Sequence, residues 1–233
     1  MNLFYTPDIN SEIYTLTEDE SKHIIRVLRM KIGSFINLTN GNGTLYNVEI
    51  IDDNPKRCTV KVVDFVENFG KRNFKLHIAI APTKNLERIE WFLEKATEIG
   101  IDEITPLICR NSERDSVKIE RLNKVVVSAM KQSLKAFCPV INEPIKFSSF
   151  IKNQSFSSKF IAHCADGEKF SLKDKYQPGN DTLILIGPEG DFSIEEIKQA
   201  FDNQFEEIHL GKSRLRTETA GVVACQIVNF LND

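Results

Sequence analysis

From Lys75 onward the chain switches repeatedly between two hydrophobic periods, and that alternation limits the folds open to it. Lys75-Leu76-His77-Ile78-Ala79-Ile80-Ala81 reads as a strand, and Leu86, Ile89, Leu93, Ala96 and Ile99 then trace a helical stripe that stops at Gly100. A strand near Glu103 to Ile108 follows, then a helix near Val117 to Phe137 and strands at Phe160 to His163 and Thr182 to Ile186. Ser193 and Glu196 fit a capping box at the start of another helix. Glu207 to Leu210 is a short strand, and Ala220 to Leu231 an apolar closing helix. Alternating strands and helices predict an α/β fold: a mostly parallel sheet with helices on both faces.

The stretch before Gly70-Lys71-Arg72-Asn73 has a different texture. Phe35 to Thr39 and Tyr46 to Ile50 are β-type runs joined by Asn40-Gly41-Asn42-Gly43, a strong hairpin signal. A small β-barrel or sheet is predicted there. Glu18 to Met30 carries Ile24, Val27 and Leu28 at helical spacing, with Thr17 as N-cap and Glu20 as its box partner. Lys22, Arg26 and Arg29 then fall at i, i+4 and i+7, a cationic face that either contacts phosphates or is merely solvated. The expected division is residues 1–70 and 73–233.

A formal net charge of −3 and a pI near 5.9 exclude a protein that coats nucleic acid through an overall positive field, though not one with a local basic face. No apolar run is long enough for a bilayer span and no cleavable leader follows Met1, so a cytoplasmic protein is expected. Cys58, Cys109, Cys138, Cys164 and Cys225 are scattered, without Cys-x-x-Cys, and are expected to be buried thiols. His23, His77, His163 and His209 are equally dispersed, so no metal is expected.

Two late segments carry the chemistry. Gly187-Pro188-Glu189-Gly190 follows the apolar run Leu183 to Ile186, where backbone can turn sharply and a ligand can approach closely. Leu210-Gly211-Lys212-Ser213-Arg214-Leu215-Arg216-Thr217-Glu218-Thr219-Ala220 precedes the closing helix. Capping by Thr217 or Thr219 accounts for the threonines but leaves the arginines without a reason. Ligands of open α/β sheets bind outside the carboxyl ends of strands, so the two loops together propose one pocket. A Rossmann fingerprint, a phosphate loop and a nucleophile elbow are all missing, which disfavours NAD, ATP and hydrolase chemistry. Lys84, Arg88, Arg110, Arg114, Lys131 and Lys135 form either a phosphate-binding surface or the charged faces of amphipathic helices.

These motifs resemble, over nearly the full length, the bacterial 16S rRNA (uracil(1498)-N(3))-methyltransferase (RsmE) family of the SPOUT superfamily. The resemblance rests on His23-Ile24-Ile25-Arg26-Val27-Leu28-Arg29 with Gly33, on Lys84, Glu87-Arg88, Trp91, Lys95 to Gly100 and Pro106, and on Glu113-Arg114, Lys131-Gln132-Ser133 and Pro139. It closes with Gly187 to Gly190 and Leu210 to Ala220. The chain departs from the family pattern in two places: Asp191-Phe192 stands where a second glycine and a small or apolar residue are usual, and Lys135 stands where an arginine is common.

The resemblance implies a PUA-like RNA-binding barrel in residues 1–70 and, in residues 73–233, a trefoil-knotted SPOUT methyltransferase domain that works as a homodimer. It implies S-adenosylmethionine bound by His163, Ile186, Gly187, Pro188, Glu189, Gly190, Leu210, Gly211, Leu215, Arg216, Thr217 and Ala220. RNA of the small ribosomal subunit would be held by Lys22, Arg26, Arg29, Lys84, Arg88, Arg110, Arg114, Lys131 and Lys135. The implied reaction is methylation of N3 of a uridine that has left its stack. Arg216 would stabilise the developing anion, and Glu218 would either accept the proton or orient Arg216. A non-catalytic ribosome-assembly factor with the same architecture is the alternative.

Overall fold

The computed structural model describes residues 2–152 and 154–233. The chain divides into two compact units, one of residues up to Lys71 together with Met130–Cys138, the other of Arg72–Ala129 and Pro139–Asp233. A single cut near Gly70, as read from the sequence, misses this excursion, because nothing in the periodicity of a continuous helical stripe marks where its end packs.

In the first unit, β1 (Leu3–Tyr5), β2 (Ile13–Thr15), β3 (Phe35–Thr39), β4 (Leu45–Asp52) and β5 (Thr59–Val66) form one sheet in the order β1-β3-β4-β5-β2. The β1–β3 pair is parallel and the others antiparallel. Phe4, Leu16, Ile24, Ile36, Leu38, Val48, Ile50 and Val60 bury their side chains in its core. Asn40 shapes the β3–β4 turn, its Oδ1 accepting from the amides of Asn42 and Thr44, while Gly41 and Gly43 take positive φ. Gly43 has a second reason to lack a side chain: a Cβ there would meet the Phe137 ring at 2.2 Å.

The predicted N-terminal helix is shorter and differently wound than expected. α1 (Glu18–Lys22) is capped by Thr17, whose Oγ1 accepts from the Glu20 amide, and passes into a π-helical turn over His23–Val27. Glu20 does not complete the box: its carboxylate lies 2.6 Å from Lys131 Nζ, the stronger, charge-assisted partner. The wider π turn spoils the i, i+4, i+7 register, and Arg29 lies beyond it at φ 57°. Lys22, Arg26 and Arg29 therefore do not form one helical face.

The second unit holds β6 (Leu76–Ile80), α2 (Leu86–Ile99), β7 (Glu103–Ile108), α3 (Ile119–Gln132, whose last turn belongs to the first unit), β8 (Val140–Ile141), β9 (Ile145–Lys146) and α4 (Phe147–Phe150). It continues with β10 (Ser158–Ala162), β11 (Phe170–Ser171), α5 (Leu172–Lys175), β12 (Thr182–Ile186), α6 (Ile194–Asp202), β13 (Glu206–His209) and α7 (Thr217–Asn232). Strand order is β11-β13-β10-β12-β6-β7-β8, with β9 also on β7, and each of these pairings is parallel.

Helices cover both faces, as the alternation predicts. Ala79, Leu183 and Leu185 point to the side of Phe147, Phe150, Phe192 and Ile197 from α4, α6 and their approaches. The residues between them face α2 and α7; a Cβ on Gly221 of α7 would meet Phe92 at 2.6 Å and Ile80 at 3.0 Å, so glycine permits that close approach. Arg72 ties the start of this unit to its end: Nη1 donates to Gly100 O at 2.8 Å and Asn229 Oδ1 at 2.9 Å, and Nη2 pairs with Asp102. No helix among the described residues is long and apolar enough to cross a membrane.

Candidate active site

β13, β10 and β12 are neighbours in the sheet, and the segments leaving their carboxyl ends surround a hollow of about 700 Å³. This is the place where an open parallel sheet offers unpaired strand ends and loop amides to a ligand. His163 and Cys164 come from the end of β10, Ile186 to Glu189 and Asp191 from β12, and Leu210 to Thr217 from the loop after β13; Ala220 adds the first turn of α7. The two loops singled out from sequence therefore meet.

What joins them is Thr217. It caps nothing: Arg216 is the N-cap of α7 and makes no side-chain cap bond, whereas Thr217 Oγ1 donates to the Gly187 carbonyl at 3.0 Å in a buried setting. For Thr217, capping is thus corrected to cross-linking of the two loops. The turn itself is closed by Asp191 N–H on Pro188 O at 2.9 Å, and Lys84 N–H donates to Glu189 Oε1 at 3.0 Å. A Cβ on Gly187 would lie 3.1 Å from the Phe192 ring, close enough that the ring would have to shift by a few tenths of an ångström.

Asp191, one of the two departures from the family pattern, sits at φ 62°, a left-handed conformation that aspartate tolerates better than most residues. Its carboxylate accepts from Cys164 N–H at 2.7 Å and from Phe192 N–H at 2.8 Å. The side chain thereby does what a glycine could not: it clips the end of β10 to the β12 turn.

His163 is buried, with Nε2 2.9 Å from Glu207 Oε2 on β13. Burial pushes its pKa below the ordinary imidazole value; Lys169 reinforces this, and Glu207 and Asp191 oppose it. Its Nδ1 has no hydrogen-bond partner among the described residues, a buried polar atom on the wall of the hollow.

Two expected residues lie elsewhere. Gly190 is not part of the wall; its carbonyl accepts from Asn111 Nδ2 at 3.3 Å. Glu218 is buried and turns to a second hollow of about 550 Å³ lined by Arg88, Trp91, Arg214, Leu215, Arg216, Glu218 and Thr219. The guanidinium beside Glu218 is that of Arg88, Nε to Oε1 3.9 Å, rather than that of Arg216. Sequence reasoning missed Lys169, Asp191 and His209 in the first hollow and passed over Trp91 as a binding residue in the second. A polar residue two to seven places beyond a strand end is the signal that finds the first two.

The basic residues are unequal. In the first unit Arg26 and Arg29 are exposed, Lys22 pairs with Glu18 at 2.7 Å, and Lys131 is held by Glu20 with its ammonium 5.7 Å from the Phe4 ring centre. Lys135 is half-buried. In the second unit Arg110 pairs with Glu195 at 3.0 Å, Lys84 lies 3.6 Å from Glu113, and Arg114 Nη2 donates to Lys84 O at 3.1 Å. Of the thiols, Cys58, Cys109 and Cys225 are buried as expected, but Cys138 is half-buried and Cys164 exposed at the rim of the first hollow.

An α/β unit with a hollow of small-molecule size at three strand ends, in one chain with a small β unit, defines the class: a two-unit α/β protein with a ligand site at the carboxyl ends of a parallel sheet. The pattern of an RNA methyltransferase domain matches residues 70–229, and that of an RNA methyltransferase PUA domain residues 16–63. Ribosomal RNA small subunit methyltransferase E of Buchnera aphidicola is 30% identical over 226 residues, covering 93% of this chain and 87% of the relative. A crystal structure of a probable rRNA-methyltransferase from Porphyromonas gingivalis matches with TM-score 0.94 and 44% identity, covering 100% of this chain and 98% of the other. A methyltransferase of Legionella pneumophila, solved with bound cofactor SAM, matches with TM-score 0.87 and 27% identity over 99% and 97% of the two chains. The chain belongs to the ribosomal RNA small subunit methyltransferase E family of RNA methyltransferases.

Proposed function

We propose that this protein transfers a methyl group from S-adenosylmethionine to N3 of one uridine, position 1498, in 16S rRNA of the small ribosomal subunit. The observation that carries the reading is the hollow at the ends of β13, β10 and β12, with its two loops locked by Thr217 on Gly187. Its donor set fits the cofactor. Apolar Ile186, Leu210, Leu215 and Ala220 suit an adenine, the turn at Gly187 to Glu189 and Gly211 offer backbone groups, and the orphaned His163 Nδ1 awaits a polar partner. Lys169 and Arg214 would hold the carboxylate of a methionyl group, and Asp191 or Glu189 its ammonium. S-Adenosylmethionine bound there supplies an electrophilic methyl group on a sulfonium.

The protein's own part is positioning and charge. A uracil imide is a poor nucleophile until its N3 proton leaves, so a donor facing the ring carbonyls and an acceptor facing N3 both lower the barrier. Arg216 fills the first role and Glu218 the second. Arg26 and Arg29 of the first unit, and Lys84 and Arg110 of the second, all exposed, hold RNA phosphates; Lys22, Arg114, Lys131 and Lys135 contribute less, being partly covered. The reading includes the homodimer, the trefoil-knotted chain path and action in the cytoplasm, where small subunits are made.

Labelled S-adenosylmethionine incubated with small subunits from a strain lacking this methylation, or with naked 16S rRNA, tests it by mapping the labelled base. Label at uracil N3 is the expected result; cofactor binding by calorimetry with no label in either RNA would instead support the non-catalytic assembly factor. Arg216→Ala and Glu218→Ala variants that still bind cofactor should slow single-turnover transfer by about a hundredfold or more.

A further inference from the structure

The second hollow shares Arg214, Leu215 and Arg216 with the first, so the two adjoin. Its walls are chemically specific. Glu218 is only 6% exposed, yet its Oε2 has no hydrogen-bond partner among the described residues, and Oε1 stands 3.9 Å from Arg88 Nε, beyond hydrogen-bond reach. Leaving a carboxylate oxygen buried and unpaired is costly, and an incoming N–H donor would relieve it. Trp91, by contrast, is 43% exposed and lines the same hollow, presenting an aromatic surface to whatever enters.

We infer that this second hollow seats the extruded pyrimidine, stacked on Trp91, and that Glu218 makes the seat read uracil rather than cytosine. The inference rests on the methylation reading above and names the binding site of its substrate. Uracil presents one edge on which the N3–H donor lies between two carbonyl acceptors. The hollow offers complementary chemistry, a carboxylate acceptor on Glu218 with the Arg88 guanidinium beside it and Arg216 as a second donor on the same wall. Cytosine has a lone pair at N3 and an amine at C4, so it sets lone pair against carboxylate and donor against guanidinium. A site built to pair with one hydrogen-bond pattern rejects the other strongly, because its buried groups would be left unmatched. Methylated uracil has also lost the N3–H, so the product forfeits the Glu218 contact and is released. Arg88 is accordingly assigned to the base, not to a phosphate.

Trp91 is the only tryptophan in the sequence, so its emission reports on this hollow alone. The full-length protein, saturated with S-adenosylhomocysteine so that no transfer occurs, is titrated with short oligouridine and, separately, oligocytidine. Oligouridine should quench Trp91 and bind at least about tenfold more tightly than oligocytidine. Glu218→Gln, whose amide both donates and accepts, should bring that ratio near unity while leaving the S-adenosylhomocysteine dissociation constant unchanged by calorimetry. Trp91→Ala should weaken oligouridine binding, followed by anisotropy of a labelled RNA, by about tenfold.

Emission unchanged up to millimolar oligouridine, or a Glu218→Gln variant that keeps the full uridine preference, overturns the inference. If small subunits are nevertheless methylated at uracil N3 by the wild-type protein, the methylation reading stands and only the seat of the base is wrong. If no RNA is methylated while the uridine-selective quench is seen, the reaction is wrong and the recognition site survives.

Discussion

The turn after β12 and the loop after β13 flank the end of β10 and wall the same hollow, but they are built in opposite ways. The β12 turn is braced on every side: Thr217 holds its Gly187 carbonyl, Lys84 its Glu189 carboxylate, Asn111 the carbonyls of Gly190 and Asp191, and Asp191 reaches back to Cys164. In the β13 loop, Gly211 to Arg214 are exposed, and the Gly211 amide has only His209 Nδ1, at 3.2 Å. Lys212, Ser213 and Arg214 make no hydrogen bond or ion pair among the described residues. One wall is finished before a ligand arrives; the other has its polar groups free to be satisfied by one. Preorganising one side limits the ordering cost of binding, and leaving the other open gives the ligand a way in.

The contrast can be broken first at Thr217. Thr217→Val keeps the shape but leaves the buried Gly187 carbonyl unpaired, and should cost about 2 kcal/mol of unfolding free energy in urea titrations, with Thr217→Ser recovering most of it. Equal stability of the valine variant would show that the brace is incidental. Next is Asp191→Ala, which loses both amide contacts and keeps the left-handed backbone; a loss of about 1.5 kcal/mol is expected by the same measurement. Asp191→Gly relaxes the backbone and should lose less. The reverse order would mean that the left-handed backbone at this position carries no strain for glycine to relieve.

A smaller effect should follow pH. Since burial lowers the His163 pKa, the unfolded chain takes up a proton before the folded one as pH falls through the ordinary imidazole range. His163 thus contributes stability at neutral pH that is lost on acidification through its folded pKa, and His163→Gln should flatten that part of the stability curve. The smallest change is expected in the open loop: Ser213→Ala should leave unfolding within about 0.5 kcal/mol of wild type. A larger loss would show that this wall, too, is built before binding.

How much of this the sequence shows depends on how local the cause is. Leu183 to Ile186 is legible because four apolar residues in a row, rich in isoleucine and ended by Gly-Pro, read as a buried strand, and Ser193 with Glu196 because a capping box is closed within four residues. The two ligand loops are legible for the same reason, each being a break between periodic segments. The π turn at His23–Val27 is not, since its stripe differs from an α-helical one by less than a residue. Nor are the short β8, β9 and β11, too brief for any period to register. Least legible are partnerships across the fold: Glu207 beneath His163, Arg88 beside Glu218, Asp191 on Cys164. Each joins residues that only the strand order makes neighbours, so the members of the site can be read from sequence while their assignment to one hollow or the other cannot.

The return of Met130–Cys138 to the first unit bears on how this gene can be dissected. Ala136 and Leu134 cover Leu3 and Leu45 there, Thr39 Oγ1 donates to the Ala136 carbonyl at 3.0 Å, and the Phe137 ring fills the place of a side chain at Gly43. A fragment ended at Lys71 would carry a raw apolar scar and an unmet hydroxyl where that plug belongs. To be expressed as an independent piece, the first unit needs the nine-residue plug grafted back on, a requirement that trimming at the obvious linker would conceal.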